Sequence, residues 1–166
     1  MSIKNQKPAI LLHGLPKKEY IDLLKKRKIK EAFVMEGRPK LIGAKVLCRE
    51  LLKKRIKPVL ITDNMAGFLF YKNFVQEIWG TYQSRHSTGA LCAIGTLMLG
   101  VLGKRHNVSL NLVPSRRKSP VTGSQKDILE FASKRVAPYG IKGYVPLMEF
   151  VPQEYISRIF PPTPNS

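Results

Sequence analysis

Residues 74–103 read FVQEIWGTYQSRHSTGALCAIGTLMLGVLG, and the succession of patterns within them decides the fold. FVQEIWGTY (74–82) is a β-rich run. The apolar pattern of GALCAIGTLMLGVLGKRHN (89–107) predicts a long buried helix. The joint between them, within residues 80–96, is rich in Ser, Thr, His and Gly and holds no Asp, Glu or Lys. A strand leading through such a loop into a helix is one unit of an α/β fold, and helix N-termini in these folds favour anions.

The same alternation extends in both directions. PAILLHG (8–14), EAFVMEG (31–37), PVLITD (58–63) and VSLNLVPS (108–115) are further strand candidates, several with consecutive apolar residues, as strands covered on both faces require. Helical patterns separate them: PKKEYIDLLKKRK (16–28), LIGAKVLCRELLKKR (41–55) and NMAGFLFYKN (64–73). Tyr20, Leu23 and Leu24 share one helical stripe, as do Ala44, Leu47, Cys48 and Leu51. Repeated strand–helix units predict an α/β, Rossmann-like, doubly wound and mostly parallel sheet with helices on both faces. We expect a single domain over 1–160 and a disordered tail over 161–166. Beyond Val113 the pattern loosens into a mobile loop (114–125), a helix over 126–136, a strand within 141–150 and a last helix over 152–160. Trp79 and Tyr144 are expected in the core.

Composition adds a strong bias. Lys and Arg number 29 against 11 Asp and Glu in 166 residues, a formal charge of +18. That attracts nucleic acid, acidic partners or anionic lipid without choosing among them. The densest clusters, at 25–30, 53–57 and 104–105, fall at predicted helix C-termini, so they gather on the amino edge of the sheet. Cys48 and Cys92 have no metal-ligand spacing and are expected to pack as small hydrophobes in a reducing compartment. No metal or cofactor is implied. No apolar run reaches the ~20 residues of a bilayer span, and the N-terminus does not read as a signal peptide, so a cytoplasmic protein is expected.

Three stretches together carry a resemblance: EGRPKLIGAKVL (36–47), VLITDNMAGFLF (59–70) and IGTLMLGVLGKRHNVSLNLVPS (94–115). They are similar to methylthioribose-1-phosphate isomerase and its wider family, which includes ribose-1,5-bisphosphate isomerase and regulatory subunits of a translation-initiation exchange factor. YVPLMEFVPQEYI (144–156) resembles the family's closing segment. The resemblance implies a Rossmann-like half that commonly dimerises, and a catalytic Cys and Asp. This sequence departs from it at those points. Gly14 stands at the position of the Cys, Tyr82 at that of the Asp, and Gln83 at that of a following Arg. Cys92 and Ala93 replace an Asn-Lys pair, and Ile42 replaces a Gln. The chain also begins just before the first strand, where the family's enzymes have a helical domain.

The carboxyl edge of the sheet collects the candidate site residues. The ligand set is Gly14, Arg38, Asp63, Asn64, Tyr82, Arg85, His86, Ser87 and Thr88, for a phosphorylated sugar or nucleotide. Each has a structural alternative. Glu36 and Arg38 can form an ion pair, Asp63 an N-cap, and the Ser and Thr of the 84–88 loop a helix cap. The expected function is binding without turnover by a catalytically degenerate relative, as a homodimer by resemblance. A second expectation is an active isomerase built on Glu36, His13 or His86. A third is an RNA-binding module using Lys25, Lys26, Arg27, Lys28, Lys53, Lys54 and Arg55.

Overall fold

The computed structural model describes residues 9–162. Six strands form a parallel array: β1 (Ala9–Leu12), β2 (Glu31–Met35), β3 (Lys57–Ile61), β4 (Val75–His86), β6 (Ser109–Pro114) and β10 (Arg158–Ile159). Their spatial order is β3-β2-β1-β4-β6-β10. This is a doubly wound order, reversing between β1 and β4, and crevices at such a reversal are where α/β sheets bind ligands.

Alternation along the strands sends side chains to two separate cores. On one face Ile10, Leu12, Val34 and Trp79 pack with Tyr20, Ile21 and Leu24 of α1 (Lys18–Lys26) and Leu51 of α2 (Cys48–Lys53). A π-helical turn, Gly43–Leu47, runs directly into α2. On the other face Leu11, Phe33, Ile78 and Leu110 pack with Leu69 and Phe70 of α3 (Ala66–Tyr71) and Leu99 of α4 (Thr96–His106). The apolar runs of the strands are thus explained by cover on both sides. Lys25 and Lys26, Lys53, and Lys104 and Arg105 occupy the last turns of α1, α2 and α4.

The largest departure from expectation lies in the stretch that opened the sequence reading. β4 continues to His86, and residues 89–93 form β5 (Gly89–Ala93), antiparallel to it, instead of the start of a helix. β5 pairs in turn with β9 (Met148–Pro152), also antiparallel. The cause is pairing. β1 accompanies β4 only as far as Trp79, and beyond that point β4 needs a new partner for its backbone groups. β5 provides it. Cys92 therefore lies on a strand, buried, while Cys48 opens α2 half-buried.

The C-terminal third is less regular than its pattern implies. Residues 126–136 give a short α5 (Lys126–Leu129) and a two-stranded hairpin, β7 (Glu130–Phe131) with β8 (Lys134–Arg135). Residues 152–160 give a 3-10 turn and β10 instead of a helix. Tyr144 is 83% exposed, not core, whereas Trp79 is buried. Residues 163–166 of the expected disordered tail lie outside the described residues; Pro161 is held by a hydrogen bond from the Tyr20 hydroxyl.

Glu77 on β4 anchors the α1 face. Its Oε1 accepts from Trp79 Nε1 at 2.7 Å and Asn111 Nδ2 at 2.8 Å, and its Oε2 accepts from Arg27 Nη2 at 2.6 Å. Burial alone would raise its pKa, but the bonds from Arg27, Trp79 and Asn111 hold it below the usual carboxylate range. Replacing Glu77 strands three donors, two of them on core residues. Glu77→Ala is expected to lower unfolding free energy by about 2–4 kcal/mol in urea titration, well above the cost of an exposed ion pair such as Lys57–Glu31.

Candidate functional site

At the carboxyl ends of β1, β2, β4 and β6 lies a cavity of about 260 Å³. It occupies the reversal point between β1 and β4. Its cations are Arg38, Arg117 and Lys118, its hydroxyls those of Thr81, Ser115 and Ser119, and no carboxylate lines it. Apolar contributions come from Leu15, Ile42, Ile94, Leu147 and Met148.

The loop after β2 is set by Asp63. Its carboxylate accepts from the backbone N–H of Gly37 at 3.0 Å and of Arg38 at 2.7 Å. Asp63 is therefore not an N-cap; it is the first residue of a 3-10 turn and acts across the sheet edge on the neighbouring loop. Held this way, Arg38 turns to the cavity and lies 4.9 Å from the Phe131 ring centroid. Lys40 pairs with Asp127 at 2.7 Å, so the same loop carries the 126–135 arm. The opposite wall is pinned by Gln83, whose Oε1 accepts from Ser119 N–H at 2.6 Å.

The helix start behind the cavity is already occupied. Glu149 of β9 accepts from Leu97 N–H at 2.8 Å, placing a carboxylate on the positive end of α4. An anion in the cavity depends on side chains instead. Glu149 and burial together also raise the Cys92 thiol, to about 12, burial being the larger cause, so Cys92 is a neutral core group and only its neighbour Ala93 faces the cavity.

His13 is 4% exposed, and its Nε2 lies 2.8 Å from the Ile94 carbonyl oxygen, which only a protonated nitrogen can approach as donor. Nδ1 is then a buried acceptor without a partner among the described residues. Burial lowers its pKa, outweighing the opposing bond to Ile94 and the charges of Asp63 and Glu149. The ring is neutral at neutral pH.

Of the residues expected from sequence, His13, Gly14 and Arg38 line the cavity. Asp63 stands behind it. Glu36 is not in the lining and makes no ion pair with Arg38 among the described residues. Asn64 is exposed and accepts from the Thr62 hydroxyl. Tyr82 is buried, with its hydroxyl donating to the Phe160 carbonyl at 2.7 Å. Arg85, His86, Ser87 and Thr88 form the exposed tip of the β4–β5 hairpin, outside the cavity lining. The expected anion loop is thus a hairpin turn, because the helix it was to open begins only at Thr96. Thr81, Ser119, Leu147 and Met148 line the cavity without having been singled out. Thr81 precedes Tyr82 on a strand, so opposite facing of the two was readable from period-2 alternation.

Among the described residues no helix is long and apolar enough to cross a membrane, and no three His, Cys, Asp or Glu side chains group as a metal site.

Residues 10–161 match the profile of the Initiation factor 2 subunit family. Methylthioribose-1-phosphate isomerase of Syntrophus aciditrophicus is 32% identical over 141 residues, covering 78% of this chain and 38% of the relative. The enzyme of that name from Thermus thermophilus is 29% identical over 144 residues, covering 80% and 44%. The chain thus spans about two-fifths of the length of these relatives. Among solved structures, 5-methylthioribose 1-phosphate isomerase from Pyrococcus horikoshii superposes with a TM-score of 0.81 at 24% identity, covering 92% of this chain and 49% of that one. Translation initiation factor eIF-2B subunit delta from A. fulgidus gives 0.80 at 18% identity, covering 94% and 52%.

The packing at Gly14 generates one prediction. At φ +81°, a Cβ there would lie 2.0 Å from Thr81 Oγ1, so Thr81 fills the space a side chain at position 14 needs. Gly14→Ala is expected to destabilise by about 2–4 kcal/mol from clash and left-handed strain combined. Thr81→Ala in the same chain should restore part of that loss, measured as a double-mutant cycle in denaturant. His13 generates a second. Its folded-state pKa is depressed, so the unfolded chain binds more protons below about pH 6.5 and stability falls as pH drops through that value. Urea titrations at pH 7 and pH 5 should show this loss, and His13→Asn should flatten it.

Proposed function

Because the chain belongs to the Initiation factor 2 subunit family, we propose that its cavity binds a phosphorylated sugar or mononucleotide and does not convert it. One observation carries this reading: three cations, Arg38, Arg117 and Lys118, face a cavity at the reversal point of the sheet that no carboxylate lines. A dianionic phosphate is the ligand such a wall favours, with Arg38 and Arg117 offering forked donors and Lys118 a point charge. Thr81, Ser115 and Ser119 supply hydroxyls suited to a sugar. Its volume of about 260 Å³ lies just below the ~300–1,000 Å³ of drug-sized sites, favouring a small phosphosugar or mononucleotide over a dinucleotide.

The absence of turnover rests on chemistry. Aldose–ketose isomerisation needs an acid or base within hydrogen-bond reach of the reacting carbons. Gly14 has no side chain, Tyr82 is committed to the Phe160 carbonyl, and Glu36 and His86 lie outside the lining. His13 is the imidazole in the lining, and no carboxylate stands beside it in the cavity wall to orient it or to take its proton.

Thermal unfolding with ribose 5-phosphate, AMP and methylthioribose 1-phosphate tests the binding. A ligand at a hundred times its dissociation constant is expected to add about 2.7 kcal/mol. Lys118→Glu, on an exposed loop, should abolish the gain while leaving unliganded stability unchanged, and NMR should recover the ligand unaltered. Indifference to all three compounds would remove the proposal.

A further inference from the structure

A second basic concavity, separate from the cavity, lies between α1 and α2. Its volume is about 550 Å³, and Lys18, Lys25, Lys53, Lys54 and Arg116 line it with a single carboxylate, Glu50. The lining follows helical spacing. Lys18, Ile21 and Lys25 fall at i, i+3 and i+7 on α1, and Glu50 and Lys53 at i and i+3 on α2, with Lys54 at its C-cap. The two rows of side chains face each other across a groove about 10 Å long, the rise of seven helical residues.

Charge in this groove is only partly compensated. Glu50 pairs with Lys53 at 3.1 Å and with Arg116 Nη1 at 3.2 Å, and Asp22 pairs with Lys54 at 2.5 Å. Lys18 and Lys25 have no carboxylate within ion-pair distance among the described residues. Arg116 is left with Nε and Nη2 buried and without an acceptor. Further exposed cations follow in sequence at the end of α1 and beyond it, at Lys26, Lys28 and Lys30. Arg27, which sequence placed among these cations, is instead committed to Glu77.

We infer that the α1–α2 groove binds the sugar-phosphate backbone of a single-stranded nucleic acid. A concave slot between two helices admits one strand, and cations spaced along it meet successive phosphates. No aromatic side chain lines the groove, so bases are not stacked and recognition is independent of sequence. The loop 115–118 separates the two sites: Arg116 faces the groove, while Ser115, Arg117 and Lys118 face the cavity.

Fluorescence anisotropy of a fluorescein-labelled 15-mer of uridine, from 50 to 300 mM KCl, tests this. Three or four neutralised phosphates give an expected slope of log K against log salt of about −2 to −3. Lys18→Glu with Lys25→Glu should weaken binding at least tenfold at fixed salt. Lys134→Glu with Lys142→Glu, an equal charge change on the distant arm, should weaken it less than twofold. Glu50→Gln, which removes the groove's carboxylate, should tighten it about threefold. Saturating AMP should leave the affinity unaltered, so failure here and failure of the cavity reading are told apart. No binding at 50 mM salt, equal losses in the two double variants, or weaker binding by Glu50→Gln would overturn the inference.

Discussion

The length of β4 is the constraint on which the remaining architecture depends. Its first half lies between β1 and β6 at the centre of a parallel sheet; its second half outruns β1 and pairs with β5. A strand that long exposes unpaired backbone where its neighbour stops, and the antiparallel ribbon of β5 and β9 covers it. That ribbon closes one side of the crevice over β1 and brings Ala93, Ile94, Leu147 and Met148 to the cavity wall. Glu149 on the same ribbon reaches the start of α4. Pairing, wall and helix cap follow from one strand's excess length.

Two cores share the sheet without sharing residues, and each stabilises a different side of the crevice. The α1 face holds Trp79, Glu77 and Arg27 in one hydrogen-bonded group, with Phe160 stacked at 5.7 Å from the Trp79 ring. The other face holds Leu99 of α4 and Phe70 of α3 beneath β4 and β6. The cavity sits above both, and its cations are carried by long side chains on the loops after β2 and β6.

Much of the fold was legible because apolar runs covered on both faces have few alternatives. β1, β2, β3, β4 and β6 lie close to where their patterns put them, whereas the place of the reversal, between β1 and β4, is given by the pairing in the structure. The segment 89–93 was not legible. GALCA is as good a helix beginning as a strand, and only the unpaired edge of β4, a non-local fact, decides between them. That one error moved Arg85, His86, Ser87 and Thr88 from a helix start to a hairpin tip. Tyr82 was misplaced for another reason: alignment to a family motif gave its position but not what its ring touches, and the Phe160 carbonyl that holds it lies 78 residues away. His13, Gly14 and Arg38 were legible because strand ends in a wound sheet converge on one edge.

Asp63 occupies both amides at the β2 turn, and Glu149 the Leu97 amide in the first turn of the helix behind the cavity. The main chain there is already quenched by the protein's own carboxylates. On the binding proposed for the cavity, discrimination among anions would pass to the side chains of Arg38, Arg117 and Lys118. Single substitutions at those positions would then change which anion is preferred and leave the scaffold beneath intact.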